Sequence, residues 1–319
     1  MHKQLINQSK IMVDISPVTP LLIKSGIESA DPSLPDMNFV RTHHPEYGEI
    51  VYIPGSSFKG ILRSYTEKIL RTLEIPCCNP ASSAKFDGMS KGGCGNGRTD
   101  RDEEKMPKNT ELNAGARIYR DWSCFACKIY GSTSLSSRLK CVDGYPTDGD
   151  FRTEKRTGVA IDRVLGSAVG GALFDQEVVT SGIFRCEIFL SNFQLWQLGL
   201  VGLVLRDLDE GYVQMGFAKS RGLGRVKADI HSVEITCTKR PPAGFEGLLY
   251  GVGVFNDLAD LYGFLKKDAV PTQKQPVRGF RTVYCWDGNE AKNIFEGIIG
   301  KDTETEVWKA FLDEGAEST

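Results

Sequence analysis

The chain has 319 residues, 40% of them apolar, and a formal net charge of −2. That is enough apolar sequence for a sizeable core, as one elaborated domain or two small ones. It excludes a protein that grips nucleic acid by bulk positive charge, so any RNA or DNA contact needs cations gathered on one face. Two such gatherings exist, Arg152, Lys155, Arg156 and Arg163, then Lys219, Arg221, Arg225 and Lys227, while acidic residues collect at Asp100 to Glu104 and from Asp302 to Glu317. The longest apolar run, Phe193 to Leu205, is broken by Gln194 and Gln197. It falls short of the roughly 20 residues a bilayer span takes, and predicts a buried helix. The polar start, Met1 to Lys10, predicts no secretory signal. Nine cysteines in such a chain point to reduced thiols, a cytoplasmic location and metal binding over disulfides.

In chain order, Lys10 to Ile15 alternates as a strand, and Leu21 to Lys24 continues or pairs with it. A long polar loop follows, Ser25 to Glu49, carrying Asp31, Asp36, His43 and His44. Loops of this length within a domain are usually functional or disordered. A short strand, Ile50 to Ile53, then enters Pro54-Gly55 and a helix. Pro54 fixes φ, Gly55 permits the turn, and Ser56 or Ser57 is expected to cap the first turn. Phe58, Ile61, Leu62, Tyr65, Ile69 and Leu73 recur at helical spacing as the buried face, with Lys59, Arg63, Lys68 and Arg71 off it. This is an ordinary amphipathic helix or, given its N-terminus and cations, a phosphate site.

Residues 75–127 read as an insertion, poor in apolar periodicity and holding five of the nine cysteines. Lys128 to Val142 returns to strand-like sequence, and Asp143 to Ser181 suggests a long protruding hairpin. Ile183 to Leu190 is a strand, Phe193 to Leu208 a helix, Gly211 to Arg225 a glycine-rich loop, and Val226 to Thr236 a strand. The order is the βαββαβ pattern of a ferredoxin-like or RRM-like α+β fold with insertions. Beyond Lys239 lies an extension with helices expected near Asp257 to Leu265, Glu290 to Ile299 and Thr305 to Asp313.

The cysteines form a constellation. Cys124-Phe125-Ala126-Cys127 is a CxxC knuckle, with Cys77, Cys78 and Cys94 upstream. Four thiolates suit tetrahedral zinc, and ligation supplies folding energy that an insertion without a core lacks. The expected set is Cys78, Cys94, Cys124 and Cys127, with Cys77 as the alternate first ligand. A redox CxxC competes, without a thioredoxin-like context. Cys141, Cys186, Cys237 and Cys285 are expected to be packing residues. In the loop GFAKSRGLGRVK, Lys219, Arg221 and Arg225 are interleaved with glycines, so the backbone can approach phosphates. It is not a Walker loop, and a solvated loop is the plain alternative.

The pair IPGSSFKGILRS and GFAKSRGLGRV resembles the RAMP superfamily of CRISPR-associated RNA-binding proteins. KIYGSTSLSSRLKCVDG is similar to that family's central strand, with Tyr130 in place of the usual Phe. RTGVAIDRVLGSAVGGALFDQEVV (156–179) is similar to the thumb hairpin of the backbone subunit of type III effector complexes, and the CxxC before KIYGS matches a zinc-bearing version, as in the D and E subtypes. The resemblance spans residues 10–236. It implies an RRM-like palm within 1–238, carrying a zinc-finger insertion (75–127), a thumb (143–182) and a glycine-rich loop (211–227), then an extension (239–319) that it does not cover.

The resemblance further implies a subunit assembled with other RAMP and type III effector subunits along a guide RNA. Ser56, Ser57, Lys59, Arg63, Arg156, Ile161, Arg163, Lys219, Arg221 and Arg225 would contact RNA. Complementary target RNA would be cut at regular intervals with Mg²⁺ or Mn²⁺. The cutting aspartate is expected at Asp36, with Asp31 as second choice and His43 or His44 as possible proton-transfer partners. A non-catalytic subunit that caps or spaces the guide filament is the alternative. A guide-processing ribonuclease is a third reading, disfavoured because that branch lacks this thumb.

Overall fold

The computed structural model describes residues 4–26, 35–78, 94, 107, 111–300 and 305–317. Asp31 and the acidic run 100–104 lie outside the described residues. The strands are β1 (Asn7–Pro17), β2 (Arg41–His44), β3 (Gly48–Val51), β4 (Leu139–Cys141), β5 (Tyr145–Ile161), β6 (Ala168–Ser191), β7 (Val226–Cys237), β8 (Leu248–Tyr250), β9 (Ala269–Pro271), β10 (Val277–Arg278) and β11 (Thr282–Asp287). The helices are α1 (Gly55–Thr72), α2 (Ala114–Trp122), α3 (Phe125–Tyr130), α4 (Leu195–Asp209), α5 (Asn256–Tyr262), α6 (Asn289–Ile299) and α7 (Glu306–Glu317).

The fold is α+β, built on one mainly antiparallel sheet and compatible with a ferredoxin-like arrangement. The main sheet runs β10-β11-β7-β1-β6-β4, and β5 pairs with β6 off that path. The central strand, β1, buries every second residue, Ile11, Val13 and Ile15 among them. It lies antiparallel between β6 and β7, with Ile11 opposite Ile188 and Val233. The other face stays partly open and carries charge ladders. Arg185 forks onto Asp14 through two 2.8 Å hydrogen bonds, and Lys10 meets Glu187 at 2.8 Å.

Helix α4 is apolar nearly all round because it is covered on several sides, by β7, α1, α6 and α7. At Gly202 a Cβ would stand 2.2 Å from the Phe295 ring of α6, so the two helices approach at a residue without a side chain. The segment after Lys239 thus adds β11 to the sheet edge against β7 and lays α6 and α7 over α4.

Several sequence expectations shift. The buried face of α1 is Phe58, Leu62, Thr66, Glu67 and Leu70, whereas Leu73 is 41% exposed. The stripe turns because Thr66 has a partner in the Tyr130 hydroxyl (2.8 Å) and Glu67 one in Arg63 (2.8 Å). Neither serine caps α1: the N-cap is Pro54, and the Gly55 N–H donates to Asp143 Oδ1 at 2.7 Å. Within Lys128 to Val142 only Leu139–Cys141 is strand, and Lys128 to Tyr130 continue α3. There Cys124 serves as N-cap, its sulfur accepting the Cys127 N–H at 3.5 Å, and Gly131 at φ +82° stops the helix. Cys186 and Cys237 are buried as expected of packing residues, while Cys285 is exposed.

Candidate metal centre and nucleic-acid interface

The CxxC turn at the start of α3 sets Cys124 and Cys127 against Cys78, which follows α1, and against Cys94. The ligand atoms of these four lie within 4.8 Å of one another. Cys78 Sγ is 3.5 Å from Cys127 Sγ and 3.6 Å from Cys124 Sγ. A tetrahedron of sulfurs about zinc, at about 2.3 Å each, has edges of about 3.8 Å, so the cluster fits such a metal. Within the set the neighbouring thiols hold Cys124 well below the usual thiol range, while their hydrogen bonds to it push Cys94 and Cys127 up. One sulfur is therefore a ready thiolate, and a metal would have to displace protons from the others. Cys77 is buried beside the set with its Sγ 3.7 Å from the Cys78 carbonyl, and is not one of the four.

Arg63 reaches this centre. Its guanidinium donates to Glu67 (2.8 Å), the Gly131 carbonyl (3.1 Å) and Cys127 Sγ (3.5 Å). Arg71 holds the Cys78 carbonyl at 3.3 Å. Two turns of helix apart, these cations brace the insertion from α1, Arg63 at a cysteine sulfur and Arg71 at a backbone carbonyl, a role the helical pattern alone did not separate from RNA contact.

The second assembly lies along the long hairpin of β5 and β6. Its turn is closed by Asp162, whose Oδ1 accepts the Val164 and Leu165 N–H groups at 2.7 and 2.8 Å. Val164 and Leu165 are 92% and 78% exposed at the tip, beside Ile161 and Arg163. Lower on the hairpin, Asp175 is bound by Lys155 (2.7 Å) and Thr157 (2.6 Å), which hold its carboxyl below the usual range. The polar loop runs alongside: Met37 N–H donates to the Asp175 carbonyl (3.0 Å), and Glu177 N–H to the Met37 carbonyl (2.9 Å). Asp36 is exposed, and its Oδ2 accepts the Asp175 N–H at 2.8 Å.

The glycine-rich loop comes to the same region. Phe217 N–H donates to the Leu22 carbonyl (2.7 Å) and Gly224 N–H to the Pro20 carbonyl (2.9 Å), so the loop is folded against the segment after β1. Gly216, at φ +80°, leaves no room for a side chain: a Cβ would sit 2.2 Å from the Leu22 carbonyl oxygen. A turn of 3-10 helix, Lys219–Arg221, presents exposed cations. The Arg221 guanidinium lies 5.8 Å from the Phe217 ring and 6.0 Å from that of Phe174, next to Asp175.

A family model for the RAMP superfamily matches residues 14–227, more than half of the sequence. The chain belongs to the RAMP superfamily. Membership points to a CRISPR-associated, RNA-binding role with guide RNA and complex subunits as partners. A search of curated proteins returns no match.

In this RAMP protein the structure seats Asp36 on the Asp175 amide and brings Arg221 to the ring of the preceding residue, Phe174. Arg156, Ile161 and Arg163 lie out along the hairpin, exposed. At the N-terminus of α1, Ser56 is exposed and Lys59 donates to Ser137 Oγ at 2.8 Å, partial burial lowering its pKa. The Asp143 carboxylate already holds the Gly55 amide there, which narrows that helix end as an anion site. Lys219 and Arg225 are exposed on the glycine loop. His43 sits exposed opposite Glu49 in the β2–β3 hairpin, while His44 stacks on Tyr47 (4.9 Å) and meets Tyr145 edge-on (5.1 Å). Sequence reasoning missed Asp175 and Glu177 beside Asp36, and placed Lys155 only in a cluster of cations. The three converge only through hairpin register, for which the alternating apolar residues Val159, Ile161, Leu173 and Val178 are the signal in the sequence. Among the described residues no helix is long and apolar enough to cross a membrane.

Proposed function

We propose that this chain is a guide-RNA-binding backbone subunit of a type III CRISPR effector complex that cuts the guide-paired target RNA. The observation that carries the proposal is Asp36 fixed on the base of a protruding hairpin with exposed apolar residues at its tip. In this reading β1, β4, β6 and β7 with α1 and α4 form the βαββαβ palm, and β5–β6 the thumb. The tip wedges into the guide–target duplex, displacing a nucleotide by shape while base pairing reads the sequence. The four cysteines hold a structural zinc, as in the D and E subtypes.

Cutting proceeds by attack of a target 2′-oxygen on its own 3′-phosphorus, forming a 2′,3′-cyclic phosphate as the bond to the 5′-oxygen of the next nucleotide breaks and that oxygen takes a proton from water to leave as a 5′-hydroxyl. Asp36 accepts the 2′-hydroxyl proton through the carboxylate oxygen that does not face Asp175 N–H. Arg221 and Lys155 offset charge on the phosphate, and the displaced nucleotide supplies in-line geometry. His43, or Asp31 from the neighbouring segment, is a second candidate for proton transfer. Dependence on Mg²⁺ or Mn²⁺ is part of the proposal. Among the described residues the cysteine set is the cluster with metal-ligand spacing, and an ion bound with the RNA would offset charge on the phosphate.

The test compares wild type with Asp36→Ala in guide-loaded assemblies. Target binding is expected to stay the same while cleavage is abolished; undiminished cleavage rejects Asp36. A second reading, a scaffold subunit, is favoured by the Asp175 hydrogen bond, since an aspartate that only orders a turn also makes one. It requires that wild type bind target without cutting.

A further inference from the structure

We infer that Glu177 is a positioning residue for Asp36, fixing the cutting carboxylate in register on the strand whose far end is the hairpin tip. The inference rests on the catalytic reading above. The segment 35–40 has no regular pairing of its own beyond isolated bridges, Met37 to Gln176 and Phe39 to Lys24. Its backbone meets β6 at Asp175 and Glu177 and, on its other side, Ile23 and Ser25, bonds that any sequence could make and that a slip of two residues would reproduce.

Glu177 removes that freedom. Its Oε2 accepts the Phe39 N–H at 3.2 Å, and its Oε1 pairs with the Arg41 guanidinium. The carboxylate is only 14% exposed, so both oxygens are committed in a site where a lost partner is costly. Phe39 is buried in the core, which pins the same point from below. One side chain therefore holds the polar loop three and five residues after Asp36, while its own backbone holds Met37. Across the hairpin, Glu177 pairs with Lys155, whose ammonium binds Asp175, the residue that meets Asp36. The tip that displaces a nucleotide and the carboxylate that takes the 2′-hydroxyl proton beside it are thereby both held to one strand, β6. That gives a physical reason for cutting at a fixed offset from the displaced position.

The test uses guide-loaded assemblies containing wild type, Glu177→Ala, Glu177→Gln and Arg41→Ala, read three ways: amide hydrogen exchange of residues 35–41, target affinity, and single-turnover cleavage with cut positions mapped. Glu177→Ala is expected to speed exchange at Met37 and Phe39 and to slow cleavage roughly 10-fold or more. It should add cuts at adjacent nucleotides and leave target affinity unchanged. Glu177→Gln keeps an acceptor for Phe39 N–H and should recover cut-site fidelity, while Arg41→Ala provides a second route if Glu177→Ala folds poorly. Unchanged exchange across 35–41 in Glu177→Ala and Arg41→Ala overturns the positioning claim whatever the cleavage does. Full cutting by Asp36→Ala overturns the catalytic reading instead, and the exchange data tell the two failures apart.

Discussion

The ring of Phe311 stacks on the indole of Trp196, centroids 4.8 Å apart and planes 9° apart. Trp196 belongs to α4, inside the family match, and Phe311 to α7, beyond it. Phe125 of the CxxC helix, α3, meets both edge-on, at 5.4 and 5.6 Å. Next to it, Lys128 is buried with its ammonium 4.6 Å from the Phe125 ring and 3.9 Å from Glu314. The last helix is thus structurally tied to the cysteine-bearing insertion. Phe311→Ala is expected to cost about 3–5 kcal/mol in urea unfolding and to speed metal loss to a competing chelator.

Removing the metal should unfold more than a loop. The cysteine set ties Cys78 and Cys94 to α3, and Arg63 and Arg71 reach it from α1. One zinc per chain is expected by elemental analysis of protein purified without chelator. Cys124→Ser should lose the metal and lower Tm by roughly 10 °C or more. Metal-free wild type with an unchanged Tm would refute this.

Asp268 supplies a pH dependence. It is fully buried where the extension meets the start of α4, its oxygens accepting the Leu195 and Gly253 N–H groups, each at 2.7 Å. Burial pushes its carboxyl up to about 7, against the pull of those amides. A raised pKa means that the folded chain holds a proton the unfolded chain has released. The contribution is full below about pH 4 and is lost as pH rises through about 7. Asp268→Asn, which cannot ionise, should flatten that part of the urea-midpoint profile, measured against wild type from pH 4 to 8.

Gly216→Ala tests whether the glycine-rich loop is a built surface. The positive φ and the Leu22 carbonyl together predict a cost of about 1–3 kcal/mol. Guide-RNA affinity should weaken with it, because Lys219 and Arg221 are carried by that loop. Thermal melting and filter binding measure the two effects.

Much of this was legible beforehand. The alternation of β1 and β7, the apolar run of α4 and the CxxC spacing each encode their structure locally, and the four chosen cysteines are the four that meet. Long-range geometry was less accessible. On α1 Phe58 and Leu62 are buried and Ile61, Tyr65 and Ile69 pack against the core as their spacing predicts. Thr66 and Glu67 could not be read as buried, because it is Tyr130 and Arg63 that partner them there. Lys128 to Tyr130 looked like strand because Ile129 and Tyr130 favour it, yet the thiol cap at Cys124 winds them into helix. Asp175 and Glu177 are ordinary charges on an alternating strand until the loop carrying Asp36 is laid beside them. At the hairpin tip, attention to Ile161 passed over Val164 and Leu165, which the Asp162 turn exposes more fully.

The most direct measurement is to map the ends of target RNA cut by the guide-loaded assembly in magnesium, using targets whose complementary segment is shifted along the strand. The account predicts regularly spaced cuts that move with the guide-paired segment and vanish with chelator. Target bound in full with no cuts at any position would contradict it, and would leave this chain as scaffold.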